Sequence, residues 1–131
     1  MATIKTFKEL NAWKKAVELT KTIYFLSSKV SFNRDFPLRD QIRRAAISVP
    51  SNIAEGFERE GNKEFIQFLT IAKGSAAEVQ TQLHIAFEVG YISGDEFDEA
   101  DNLCTDVLQL ISGFMRYLNT TQVNGNKFRR R

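Results

Sequence analysis

The chain has 131 residues, of which 43% are hydrophobic, and its formal net charge is +2. This length and apolar content predict one ordinary domain with its own core. The single cysteine, Cys104, excludes an internal disulfide framework and a zinc site built from cysteines alone. No run reaches the roughly eighteen apolar residues of a membrane span, and residues 1–8 lack the apolar core of a signal peptide, so we expect a cytoplasmic protein without a membrane partner.

The first predicted helix runs from Phe7 to Val30. Thr6 and Glu9 have the spacing of a capping box at its start. Residues 31–37 are predicted to form a loop, because Pro37 suits the first turn of the next helix. The apolar residues of the first helix recur at steps of four and three and therefore share one face, which comprises Ala12, Ala16, Leu19, Ile23, Leu26 and Val30.

The second predicted helix begins near Pro37 and ends near residues 59–61. Pro50 lies inside it, where it cannot donate a hydrogen bond to the carbonyl of Ala46 and its ring crowds the preceding turn. The apolar stripe nevertheless keeps its phase across Pro50, which favours a kinked but continuous helix over two short ones. That stripe comprises Leu38, Ile42, Ala45, Val49 and Ile53.

The third and fourth predicted helices have regular apolar patterns. Gly90 and Gly94 bracket the turn between them, and Ser93 with Glu96 is spaced for a second capping box. The buried face of the third helix comprises Phe65, Leu69, Ala72, Ala76, Val79, Leu83 and Ala86. That of the fourth comprises Phe97, Ala100, Cys104, Val107, Ile111, Phe114 and Leu118.

These segments predict the fold class. Four helices joined by short connections indicate an all-α protein, an antiparallel up-down-up-down four-helix bundle with its second helix kinked at Pro50. The bundle is assigned to residues 1–123, because the apolar period stops after Asn119. Residues 124–131 have the composition of a flexible basic tail.

Two adjoining segments carry a family pattern: QIRRAAISVPSNIAEGFER at residues 41–59 and EFIQFLTIAKGS at residues 64–75. They resemble the bacterial four-helix-bundle family named for proteins encoded in intervening sequences of the 23S rRNA gene. The likeness covers about residues 7–118, and the tail lies outside it. Further matches to the family pattern are Leu10, Trp13, Lys15, Ala16 and residues 90–92.

This resemblance implies more about assembly than about activity. It implies a helical bundle that forms homo-oligomers, with a pentameric ring as the expected form. It also implies kinship with the accessory proteins of diversity-generating retroelements, which bind nucleic acid and a reverse transcriptase. The molecular role of the family is largely unassigned, so the resemblance informs the fold far better than the function.

Charge is segregated along the chain. Residues 1–44 carry a net charge of +6, residues 45–115 carry −9 and residues 116–131 carry +5. Such segregation is compatible with a nucleic-acid partner, with self-association through unlike faces, or with surfaces that simply face water. The candidate phosphate contacts are the basic residues of helices one and two and of the tail, namely Lys8, Lys14, Lys15, Arg39, Arg43, Arg44, Lys127, Arg129, Arg130 and Arg131.

The predicted function is therefore non-enzymatic binding of RNA or DNA. Lysine and arginine neutralise phosphates without reading sequence, so this binding should tolerate many sequences and weaken with salt. The alternative is a protein interaction scaffold, or an accessory subunit of a partner such as a reverse transcriptase, with no direct nucleic-acid contact.

A polar strip lies beside Pro50 on the second helix. On one interpretation it is structural: Asn52 and the serines satisfy the carbonyl freed at Pro50, while the arginines pair with Glu55. On the other, it contacts a ligand or nucleic acid. The residues of the strip are spaced by three or four and are Arg44, Ser48, Asn52, Glu55 and Arg59.

The third helix carries a second apolar stripe outside its core face, formed by Phe68, Ile71, Ser75, Ile85 and Val89. This stripe is too apolar for a monomer surface that only faces water, so we predict that it is an oligomer interface. Basic helices one and two and acidic helices three and four would present unlike faces. Contacts between unlike faces close into a ring when the rotation between copies allows it.

No catalytic, metal or cofactor site is predicted. His84 and Glu88 lie one helical turn apart and could supply two metal ligands, but no second histidine is present. Cys104 falls on the buried stripe of the fourth helix, as a small core residue would. No phosphate-binding glycine loop or activated serine motif is found, so we predict that the protein is not an enzyme.

Overall fold

The structure of the protein is a computed structural model, which describes residues 4–122. Throughout this range the regular elements are helical: a 3₁₀ turn at Phe7–Glu9, followed by α1 (Asn11–Ser27), α2 (Val30–Arg34), α3 (Phe36–Phe57), α4 (Asn62–Glu88) and α5 (Gly94–Gln122). The long helices α1, α3, α4 and α5 correspond to the four predicted helices. Both α1 and α4 pack against α3 and α5, which confirms an all-helical bundle.

Hydrogen bonds between α3 and α4 join residues in opposite chain order. The hydroxyl of Ser75 donates to that of Ser48 at 2.9 Å, and the amide of Gln82 donates to that of Gln41 at 3.1 Å. These pairs support antiparallel packing of the two helices. The up-down-up-down order of the whole bundle stays a prediction, and the boundary at residue 123 and the tail lie outside the described residues.

The predicted apolar stripes of the last three long helices form most of the core. Leu69, Val79 and Leu83 of α4 and Val107 and Ile111 of α5 are completely buried. Phe114 was predicted to lie in the same core but is only half-buried, because it packs against the rim of the core. Its ring meets that of Phe65 edge-on at a centroid distance of 5.2 Å.

The predicted bounds of the first helix are wrong at both ends. The capping box of Thr6 and Glu9 forms, but it caps the short 3₁₀ turn, and α1 begins only at Asn11. At the other end α1 stops at Ser27, and the predicted loop contains α2. Val30 was predicted to be buried, yet it is 67% exposed, because the chain turns before it.

Phe32 in α2 takes the core position that the sequence pattern assigned to Val30. It is 1% exposed, and its ring lies 5.5 Å from that of Tyr91 in the turn between α4 and α5. The Tyr91 hydroxyl donates to Asp35 at 2.9 Å, and the other carboxylate oxygen of Asp35 accepts the backbone N–H of Leu38 at the start of α3. One end of the bundle is therefore held together by residues distant in sequence.

Helix α3 continues without a break through Pro50. The carbonyl of Ala46, which has lost its usual donor, accepts the hydroxyl of Thr20 from α1 at 3.0 Å. Asn52 donates instead to the carbonyl and hydroxyl of Ser48, at 2.8 and 2.9 Å. The prediction that Asn52 and the serines satisfy the freed carbonyl is thus wrong, whereas the kink itself stays a prediction.

Helices α3 and α4 approach closely at Gly56. A Cβ atom at this position would lie 2.7 Å from the Phe65 ring and 2.8 Å from Cβ of Phe68, so only glycine fits without a shift of these side chains. This contact and the Ser48–Ser75 hydrogen bond set the two helices side by side. None of the helices within residues 4–122 has the length and apolar character needed to cross a membrane.

Candidate nucleic-acid interface and polar groove

Arg39 is held at the start of α3 by several neighbours. Its Nε lies 2.9 Å from a carboxylate oxygen of Asp40, and its Nη1 donates to the backbone carbonyl of Asn33 at 3.1 Å. The guanidinium also lies over the Phe36 ring, 4.8 Å from its centroid. The side chain is 22% exposed and paired with Asp40, and these contacts give it a defined orientation.

Arg43 connects α3 to the end of α1. Its Nε donates to the buried hydroxyl of Ser27 at 2.8 Å and its Nη2 to that of Ser28 at 3.2 Å. Its guanidinium lies 4.7 Å from the centroid of the Tyr24 ring. Arg43 therefore has a structural role that its basic character alone did not predict.

The predicted lysines lie at the opposite end of α1 from this arginine contact. Lys8 and Lys14 are exposed, and neither side chain pairs with another residue in the described range. Lys15 lies 3.7 Å from Glu18. Because a helix rises about 1.5 Å per residue, roughly 20 Å of α1 separates Lys14 from Ser27.

The structure thus divides the predicted basic surface into separate parts. The lysines lie near the beginning of α1, whereas Arg39 and Arg43 lie near its end and the adjoining α2. Arg44 lines a different surface, between α3 and α4. The remaining predicted contacts, Lys127, Arg129, Arg130 and Arg131, lie outside the described residues.

The polar strip is likewise divided. Arg59 pairs with Glu55 at 3.3 Å and lies 4.7 Å from the centroid of the Phe68 ring. Asn52 is bonded to Ser48, as described above. Arg44 makes no ion pair or side-chain hydrogen bond within residues 4–122, so the predicted pairing of both arginines with Glu55 holds for Arg59 alone.

A groove of about 360 Å³ runs between α3 and α4. Its walls combine part of the predicted strip with polar residues of α4 that were not predicted to bind a ligand. Steps of three and four lead from Ser75 to Glu78 and Gln82, which places the three residues on one face of α4. This spacing could have identified the α4 side of the groove from the sequence. The lining comprises Gln41, Arg44, Ala45, Ser48, Ser75, Glu78 and Gln82.

The groove contains two charged side chains and one buried amide atom that no other described residue pairs with. Arg44 on α3 and Glu78 on α4 are exposed, and neither pairs with another described residue. Gln82 is only 9% exposed, and its buried Oε1 accepts no hydrogen bond from the described chain. Exchanging the amide oxygen and nitrogen would leave the nitrogen unpaired instead, and such a buried group costs about 1–3 kcal/mol.

The second stripe of α4 is only partly available as an interface. Ile71, Ile85 and Val89 are 51%, 44% and 56% exposed, which is high for aliphatic side chains. Phe68 is half-buried beneath Arg59, and Ser75 is 8% exposed because it packs against Ser48. The expectation that Ser75 belongs to an exposed stripe is therefore wrong.

The other titratable candidates have simple surroundings. Burial, assisted by the charge of Asp101, raises the pKa of the Cys104 thiol to about 12, which keeps it protonated near neutral pH. His84 Nε2 lies 3.5 Å from a Glu88 carboxylate oxygen at the surface. Within residues 4–122 no group of three or more His, Cys, Asp or Glu side chains could hold a metal ion.

The arrangement defines an all-helical bundle protein with a groove of mixed charge between two of its long helices. The family model of the 23S rRNA-intervening sequence protein matches residues 8–113, and the chain belongs to this family. The family resemblance seen in the sequence is thereby confirmed. The kinship with retroelement accessory proteins stays a prediction.

Among solved structures, the chain is similar to a protein of unknown function from the S23 ribosomal protein family of Bacteroides thetaiotaomicron VPI-5482. The two sequences are 23% identical, and the alignment covers 79% of this chain and 97% of the other, with a TM-score of 0.73. Similarity at this level shows the shared fold. The comparison with curated proteins found no match.

Proposed function

We propose that the protein is a non-enzymatic, oligomeric binding protein that contacts the phosphates of RNA or DNA through α1 and α3. The segregation of charge carries this proposal, since residues 1–44 have a net charge of +6 and residues 45–115 have −9. A strong local excess of positive charge attracts a polyanion even when the whole chain is nearly neutral. The family name refers to a ribosomal RNA gene, which is compatible with this ligand class.

The basic side chains would have two roles in such binding. Lys8 and Lys14 are free of partners in the described chain and would contact phosphates directly. Arg39 and Arg43 are already oriented by aromatic rings and hydrogen bonds, so less side-chain entropy is lost when they meet an anion. Their charges would attract the ligand, while the lysines would make direct contacts that substitution can remove without disturbing the fold.

In this proposal the protein forms a homo-oligomer. The exposed Ile71, Ile85 and Val89 of α4 favour burial against a second copy. In the proposed up-down-up-down bundle, basic α1 and α3 and acidic α4 and α5 present unlike surfaces that could meet between copies. The family resemblance makes a pentameric ring the expected form.

The second candidate function is a protein interaction scaffold or an accessory subunit, for example of a reverse transcriptase. The same exposed aliphatic residues favour it, because they suit a protein partner better than a phosphate backbone. On this alternative the lysines of α1 would be dispensable for binding. The two functions therefore differ in their dependence on Lys8 and Lys14.

The test compares two double variants with the same change in net charge. Lys8→Glu/Lys14→Glu alters the proposed interface, whereas Lys63→Glu/Lys73→Glu alters exposed lysines of α4. Fluorescence anisotropy with labelled single- and double-stranded RNA and DNA would give affinities over a series of salt concentrations. We expect a large loss for the α1 variant, a small loss for the α4 control and a steep fall of wild-type affinity with salt.

Two results would count against phosphate binding, and a third would count against the α1 interface. Equal losses for the two double variants would exclude the α1 lysines as the specific contacts. Absence of binding to every RNA and DNA at low salt would exclude phosphate binding. An affinity independent of salt would exclude the phosphate mechanism, because displaced counterions make such binding salt-dependent.

A further inference from the structure

We infer that the groove between α3 and α4 binds an unstacked guanine base of the nucleic acid. This inference rests on the proposed function and adds a base-reading site to it. The groove is separate from the α1 lysines, and its lining belongs to α3 and α4 alone. Its volume of about 360 Å³ falls within the range of about 300–1,000 Å³ that is typical of small-ligand pockets.

The charges of the groove favour a neutral ligand with hydrogen-bonding edges. Arg44 supplies one cation and Glu78 supplies one anion, so the lining has no net charge. A phosphate would gain from Arg44 but would be repelled by Glu78. A nucleobase instead presents neutral donors and acceptors along its edges, and single-stranded nucleic acid can present a base in this way.

Guanine fits these two side chains better than the other bases do. Its O6 and N7 are adjacent acceptors, which match the parallel N–H groups of the Arg44 guanidinium. Its N1–H and N2–H₂ groups are adjacent donors, which match the two oxygens of the Glu78 carboxylate. Because Arg44 and Glu78 come from opposite walls, one guanine could contact both at once.

The glutamine pair adds a further adaptable contact. Gln82 is held by a single side-chain hydrogen bond, donated to the exposed Gln41, and its Oε1 lacks a donor in the described chain. A base that displaces Gln41 would meet an amide with both a donor and an acceptor. The unpaired amide atom therefore favours a ligand that carries hydrogen-bonding groups.

The test uses a nine-nucleotide oligouridine with one central substitution, measured by fluorescence anisotropy at low salt. The central base is guanine, hypoxanthine (introduced as inosine), 7-deazaguanine, adenine or uracil. Hypoxanthine lacks the 2-amino group of guanine, and 7-deazaguanine lacks N7. We expect roughly tenfold tighter binding of the guanine oligonucleotide than of the uracil one. Inosine and 7-deazaguanine should each lose part of that preference.

Two variants assign the contacts. Arg44→Lys keeps the charge but loses the paired donors, and Glu78→Gln replaces one acceptor by a donor. Each should reduce the guanine preference severalfold, measured as the ratio of the affinities for the guanine and uracil oligonucleotides. Arg34→Lys and Glu64→Gln, at exposed positions outside the groove, are matched controls that should retain the preference.

The outcomes separate this inference from the proposed function. Equal affinity for all five oligonucleotides, or a preference for adenine, would overturn guanine binding while leaving phosphate binding intact. A guanine preference that survives both groove variants would overturn the assigned site. Failure of the uracil oligonucleotide and of all longer nucleic acids to bind would instead exclude the proposed function. All substituted positions are exposed, and circular dichroism would verify that each variant folds.

Discussion

The hydroxyl of Thr20 in α1 donates a hydrogen bond to the carbonyl of Ala46 in α3, and the distance between the oxygens is 3.0 Å. Ala46 is the residue whose carbonyl loses its helical donor because Pro50 has no N–H. The same hydroxyl lies 2.8 Å from the carbonyl of Ala16 in its own helix. A neighbouring helix thus supplies the donor that the sequence of α3 lacks, and α3 continues through the proline.

We expect Thr20→Val to lower the free energy of unfolding by about 1–3 kcal/mol, because it leaves the Ala46 carbonyl without that donor. The control is Thr22→Val. The Thr22 hydroxyl donates to the carbonyl of Glu18 in its own helix, at an exposed position, so its loss should change stability by less than about 0.5 kcal/mol. Urea denaturation followed by circular dichroism would measure both.

A double-mutant cycle tests the cause of this effect. In a Pro50→Ala background, the new N–H can satisfy Ala46, so the cost of Thr20→Val should fall. If Thr20→Val costs the same in both backgrounds, its effect comes from altered packing, and the assigned role of the hydroxyl is wrong.

The second prediction concerns α2. Phe32→Ala removes a ring that is 1% exposed and should cost about 3–5 kcal/mol through loss of buried contacts and formation of a cavity. Phe25→Ala is the matched control, because Phe25 is 72% exposed in the neighbouring α1. Denaturant unfolding should separate the two variants clearly, and comparable losses would contradict the position of α2 in the core.

The third prediction concerns pH and Glu96. The hydrogen bond from Lys29, followed by that from the Ser93 backbone, lowers the pKa of the Glu96 carboxyl in the folded state. Because the folded pKa lies below the unfolded one, the ionised carboxylate stabilises the fold above the unfolded pKa. This stability is lost as the pH falls through the lower, folded pKa.

Glu96→Gln should therefore be less stable than the wild type at pH 7, by under about 1 kcal/mol for this partly exposed pair. The deficit should narrow as the pH falls below 4.5, the ordinary value for this carboxyl. Glutamine can still accept the Ser93 N–H in the capping box, so the variant isolates the charge. Thermal unfolding across pH would measure this difference in stability, with Asp98→Asn as an exposed control. A difference that is independent of pH would show that ionisation of Glu96 does not stabilise the fold.

The sequence predicted those parts of the fold that depend on local period. The apolar steps of three and four identified most buried residues of α3, α4 and α5, and the Ser93 capping box was confirmed by its two hydrogen bonds. Periodicity succeeds there because each long helix buries one continuous face. It fails at α2, where the burial of Phe32 depends on contact with Tyr91, a residue from a distant turn.

The candidate site was less predictable for the same reason. The polar strip was found because Arg44 and Ser48 share one face of α3. The groove needs the register between two helices, which brings Glu78 and Gln82 opposite that face. Likewise, the basic character of Arg43 suggested a phosphate contact, whereas its bonds to Ser27 and Ser28 exist only in the folded chain.

The fourth prediction concerns assembly. Ile71 is 51% exposed on α4, in the stripe that we propose is covered by a second copy. Light scattering at micromolar concentration should give several times the chain mass of 15.0 kDa for the wild type. Ile71→Glu should lower that mass, because burying an unpaired carboxylate in an apolar contact is unfavourable. Val30→Glu is the matched control, since Val30 is 67% exposed on α2, away from the stripe, and should leave the mass unchanged. A monomeric wild type would exclude the proposed oligomer, an unchanged mass for Ile71→Glu would place the interface elsewhere, and an equal decrease in both variants would show that the effect is not specific to the stripe.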